Sequence, residues 1–86
     1  MGKFAKILHG VLGGKSDANI RFSDLAALMH QLGFEVRVRG SHHIFTKEGV
    51  EEIVNLQPLG AMAKPYQAGQ VRNLILRHKL GVADDE

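Results

Sequence analysis

The chain contains no cysteine, which excludes a disulfide framework and any thiolate metal site and fits a reducing, cytoplasmic setting. Tryptophan is also absent and aromatic residues make up only 6% of the sequence, so any core must be built on aliphatic contacts. Only two prolines occur and no low-complexity tract is present, which argues against wholesale disorder. No apolar run approaches the ~18 residues needed to cross a bilayer. The N-terminal MGKFAKILHGVLGG, broken by Gly10, Gly13 and Gly14, lacks the apolar stretch of a signal peptide. With 86 residues there is room for one domain, which buries only about 60% of its unfolded surface.

Acidic residues are scarce where they would matter. Asp84, Asp85 and Glu86 supply three of the nine, so residues 1–83 set eleven Lys/Arg against six acids. Such a balance permits attraction to phosphate-rich partners.

Residues 3–12 place Phe4, Ile7, Leu8, Val11 and Leu12 at the spacing of a short amphipathic helix, which Gly13 and Gly14 end. The polar stretch KSDANIRF reads as a connector. Ser23 is positioned to cap a second helix with Leu25, Leu28, Met29 and Leu32 on one face and Gly33 at its end. From Phe34 the period becomes two, with Phe34, Val36 and Val38 alternating against Glu35, Arg37 and Arg39. Turns at residues 39–41 and 47–49 then predict a three-stranded antiparallel meander over 34–39, 42–46 and 50–57. Residues 58–63 read as a loop. A last helix starts at Pro65, carries Val71, Leu74 and Ile75 on one side with Arg72 and Arg77 largely outside it, and closes at Gly81. Gly69 within it implies either a weak start or a close approach to the backbone. The sum is an α+β domain with helices on one sheet face and the other face open.

The segment RVRGSHHIF concentrates the chemistry. Neighbours on a strand point to opposite faces, so only one of His42 and His43 can sit on the open face. Imidazole, with an ordinary pKa of about 6.5, can take and return a proton at neutral pH. Beside Arg37 and Arg39 it suits general-base attack on RNA, whose 2′-hydroxyl is a built-in nucleophile that needs no metal or other cofactor. The plainer role for such a pair is one packed ring and one solvated ring. Adjacent histidines on opposite faces do not chelate one ion, and no acidic cluster completes a set, so no metal site is expected. His9 and His30 fall on helix surfaces, and His78 near a helix C-terminus has a favourable dipole interaction.

The segments SDANIRFSDLAALMHQLG, GFEVRVRGSHHIFTKEGVEEIVNLQP and AKPYQAGQVRNLILRHKL resemble the HicA (YcfA-like) family of toxin ribonucleases from type II toxin-antitoxin modules. The most specific elements are the Gly-Ser-His corner and the Lys-Pro-Tyr-Gln entry to the last helix. The resemblance implies a double-stranded-RNA-binding-domain-like αβββα core, with the N-terminal helix of residues 1–15 as an addition, the ribonuclease domain over 16–83 and an acidic tail over 84–86. It further implies an mRNA interferase acting through the histidine after the Gly-Ser corner, His42, or His43 if the turn holds an extra residue. Arg37, Arg39, Ser41, Lys47, Lys64 and Arg72 are the candidate RNA contacts. The implied partners are mRNA and a HicB-like antitoxin covering the active face, with no membrane, and the N-terminal helix is available to dock the antitoxin or mediate self-association. The competing reading is a non-catalytic RNA-binding or antitoxin-binding module on the same fold. Leu59, Ala61 and Met62, with Ala68 and Gly69, depart from the more polar family pattern.

Overall fold

In the computed structural model, which describes residues 2–81, an N-terminal helix leads into an α+β core. Helix α1 spans Lys3–Gly13 and turns Leu8 and Val11 into the interior. A single 3-10 turn, Asp17–Asn19, lies within the expected connector, and Ile20 after it is buried. Helix α2, Phe22–Gln31, buries Phe22, Leu25, Leu28 and Met29. Its N-cap is Arg21, with no side-chain cap bond, so Ser23 lies inside the first turn rather than ahead of it. The C-terminal end follows expectation: Gly33 adopts φ 98°, a left-handed conformation that reverses the chain and lets the Phe34 amide donate to the Met29 carbonyl at 3.0 Å.

Strands β1 (Glu35–Arg39), β2 (His42–Lys47) and β3 (Val50–Leu56) form the antiparallel meander in sequence order. The β1–β2 corner is a two-residue turn in which Gly40 has φ 59° and Ser41 does not enter the positive-φ region. Glycine first is the arrangement of a type II′ turn, whose twist matches that of the flanking strands. Cross-strand registration places Val36, Phe45 and Val54 in one row and Val38, His43 and Leu56 in the next. These rows face the helices, and Phe45, Val54 and Leu56 are buried there with Leu25, Leu28, Met29, Val71 and Ile75.

Residues 58–63 are a small hairpin rather than a loop: β4 (Pro58–Leu59) pairs with β5 (Met62–Ala63). Its second strand also reaches the segment before α2, through an Arg21–Met62 bridge, the Phe22 amide on the Ala61 carbonyl and the Ala63 amide on the Ile20 carbonyl. Helix α3, Pro65–His78, begins with proline in its first turn as expected. It ends on Lys79 in the left-handed region, φ 55°, two residues before the expected Gly81. The approach at Gly69 is by the helix's own Arg72, whose guanidinium would lie 3.2 Å from a β-carbon there.

Among the described residues no helix is long and apolar enough to cross a membrane. The acidic tail at 84–86 lies outside the described residues.

Candidate nucleic-acid interface and histidine site

Strand alternation separates the two histidines. On the sheet face away from the helices, β1 presents Glu35, Arg37 and Arg39, β2 presents His42, Ile44 and Thr46, and β3 presents Ile53 and Asn55. Both arginines are exposed, and Arg39 sits directly across from His42. An open depression of about 460 Å³ runs over this face between Glu35, Arg37, Arg39, Ile44, Thr46 and Ile53.

The His42 ring is exposed, and its Nδ1 lies 3.2 Å from Asn55 Oδ1. An amide oxygen only accepts, so Nδ1 carries the proton in this contact and Nε2 is left with a free lone pair in the neutral ring. A base oriented by a third group through its other nitrogen is the general arrangement of hydrolytic sites. Asn55 was not among the residues singled out from the sequence.

His43 points the other way. Its ring meets Phe22 edge-on, with centroids 4.8 Å apart and planes at 65°, and its Nδ1 is 3.3 Å from the Ser41 carbonyl. It is half-buried, beside a shallow depression that it shares with Arg21, Ser23 and Ala61. This ring is held by packing, whereas the His42 ring is held by a polar partner on the open face.

The other candidate contacts divide. Ser41 is in the corner itself, its hydroxyl accepting from Gln57 Nε2 at 2.9 Å. Lys47 ends β2 on the helix side, with its ammonium against Gly33. Lys64 is the N-cap of α3, where its amide donates to Gln67 Oε1 at 3.3 Å. Arg72 is occupied structurally: its guanidinium forks onto Asp17 at 3.1 and 3.2 Å and also donates to the Val11 carbonyl at 2.9 Å near the end of α1. Asp17 holds that guanidinium still more firmly protonated. Arg37, Arg39 and His42 therefore share one surface, and Lys47, Lys64 and Arg72 do not join them.

No protein family model, curated protein or solved structure matches the chain.

His78 has a specific partner beyond the helix dipole. Its Nε2 lies 2.8 Å from Glu52 Oε1, while Arg77 binds the other carboxylate oxygen. Hydrogen bonds from Arg77, then His78, hold the Glu52 carboxyl at about 2, against an ordinary 4.5. A depressed carboxyl pKa stabilises the folded state above the unfolded value and loses that contribution as pH falls toward the folded one. Stability should thus decline between about pH 4.5 and pH 2, and urea melts across that window should show a shallower decline for Glu52→Gln. No group of three or more potential ligands gathers to hold a metal ion among the described residues.

Proposed function

We propose that the protein is an endoribonuclease of the HicA toxin type, built on a double-stranded-RNA-binding-domain-like fold, acting on mRNA in the cytoplasm and neutralised by a HicB-like antitoxin. The observation that carries this reading is the His42–Asn55 contact on an open face that also bears Arg39 and Arg37.

That geometry supports the following chemistry. Nε2 of His42 accepts the proton of an RNA 2′-hydroxyl as its oxygen attacks the adjacent phosphorus. The bond from phosphorus to the 5′-oxygen breaks, water returns a proton to the leaving oxygen, and the products carry a 2′,3′-cyclic phosphate and a 5′-hydroxyl. Arg39, across from the base, stabilises charge on the non-bridging oxygens, while Asn55 keeps the imidazole in the basic tautomer. Ile44 and Ile53 on the same face, the latter 65% exposed, give an antitoxin an apolar surface to cover, which supports inhibition by occlusion. That apolar content also favours the second reading, a module that binds RNA or its protein partner without cleaving.

Incubation of RNA with purified protein in excess EDTA separates the two. Cleavage with cyclic-phosphate ends is expected, and metal-dependent products with 5′-phosphates contradict the mechanism. The binding step has its own expectation. Affinity should fall with salt by about 0.7 log units per log unit for each phosphate neutralised on a single strand. Arg39→Ala should flatten that slope, and Lys64→Ala and Arg72→Ala should leave it unchanged. A flatter slope with Arg72→Ala alone would put the RNA on the helices.

A further inference from the structure

Strand β1 forms one edge of the three-stranded sheet. The hairpin identifies which of its backbone groups are free. Arg39 and His42 flank the two-residue turn, so they exchange both backbone bonds, and at period two so do Arg37 with Ile44 and Glu35 with Thr46. The N–H and C=O groups of Val36 and Val38 therefore point outward along an edge that pairs with no other strand among the described residues. Their side chains lie on the helix-facing side, where Val36 is half-buried but Val38 remains 55% exposed. An apolar residue left bare beside unbonded backbone groups is a template for another strand.

We propose that this edge pairs antiparallel with β1 of a second copy of the chain, with the two-fold axis at Arg37, to give a continuous six-stranded sheet. In this register Val36 lies opposite Val38 of the second copy and the reverse, which satisfies every outward backbone group of the two residues and covers the exposed valine. On the other face Glu35 meets Arg39 twice, against a single Arg37–Arg37 contact on the axis.

The neighbouring registers are worse for stated reasons. An axis at Val38 sets Arg37 against Arg39 twice. An axis at Val36 requires the Phe34 amide, which is already bonded to the Met29 carbonyl at 3.0 Å. A slip of one residue puts valines against arginines. The amphipathic helix α1 is less suited to the role, because Leu8 and Val11 are spent on the core. A single short strand pair buries less than the ~1,000 Å² of a stable complex, so the dimer is weak and forms at roughly 10 µM to 1 mM.

Sedimentation velocity on the full chain over that concentration range tests the proposal. The mass should rise toward twice the monomer. Glu35→Arg and Arg39→Glu should each weaken association roughly tenfold, since every cross-strand pair occurs twice, and the double exchange should restore it. Arg37→Ser, which removes the like-charge contact, should tighten it. Val38→Pro should abolish it, because proline lacks the required N–H yet is tolerated at a sheet edge. Circular dichroism melts report whether that variant is folded, and the charge exchanges stand without it. A wild-type chain that stays monomeric at about 1 mM, a double exchange that fails to restore association, or an Arg37→Ser chain that dimerises less well would each overturn the proposal, as would a dimer indifferent to all these changes.

Discussion

His42→Ala should lower single-turnover RNA cleavage by about 10² to 10⁴ while leaving the melting temperature nearly unchanged. The ring is exposed and makes one side-chain hydrogen bond, to Asn55, so its removal takes away a proton acceptor and very little packing. RNA affinity should hold, because the arginines on the same face remain. His43→Ala should behave in the opposite sense. That ring lies edge-on against Phe22 at 4.8 Å, and aromatic pairs contribute about 0.5 to 1.5 kcal/mol beyond their buried area, so the loss should appear as a lower melting temperature. Asn55→Ala gives an intermediate test: the base remains but loses the partner that sets its tautomer, so the rate should fall by less than for His42→Ala. A folded, inactive His43→Ala protein beside a fully active His42→Ala protein would reverse the assignment.

The largest loss of stability is expected from Phe45→Ala. Phe45 is 0% exposed at the centre of β2, between Val36 and Val54 on the flanking strands and edge-on to His30 of α2 at 6.0 Å. Truncation of a buried phenylalanine costs about 3 to 5 kcal/mol, the lost transfer free energy plus the cavity left behind. Native domains are stable by only about 5 to 15 kcal/mol, so the variant should be marginal. At about 4 to 8 °C per kcal/mol for a chain of this size, thermal melts should shift by roughly 12 to 40 °C. Phe45→Leu should recover much of the difference. A small shift for Phe45→Ala would mean that the sheet and helices do not share a single core.

Where periodicity governs, residue order alone anticipates the structure. Alternation from Phe34 onward separates the arginines from the valines, puts His42 and His43 on opposite faces, and locates both tight turns, because a strand's side-chain period is enforced by its backbone. The polar partners are less legible. A straight count back from the Lys47–Val50 turn would set Phe45 against Glu52 and His42 against Asn55. The irregularity in β2 between Phe45 and Lys47 moves the pairing so that Phe45 meets Val54 and Ile44 meets Asn55. That shift keeps a carboxylate away from the core row and moves Asn55 from directly opposite His42 to a diagonal position, from which its amide oxygen still reaches the ring at 3.2 Å. Nothing local in residues 45–47 announces it.

The hairpin of residues 58–63 is not legible in the sequence for a related reason. Two-residue strands have no period to detect, and these are held by the segment around Arg21. Helical spacing leaves Arg72 largely outside the apolar side of α3 as a candidate RNA contact, yet Asp17 and the Val11 carbonyl, both distant in sequence, claim its guanidinium. Helical spacing places such a residue on a face without revealing what the fold will bring to it.

RNA is expected to lie across the outer face of β1, β2 and β3. Amide chemical shifts followed during titration with an RNA that carries 2′-O-methyl groups, and so binds without reacting, test this most directly. The largest changes should fall at Arg37, Arg39, His42, Ile44 and Asn55, with little at α1 or α3. Changes centred instead on Arg21, Phe22, His43 and Lys64 would move the RNA to the helix side of the sheet and contradict the account.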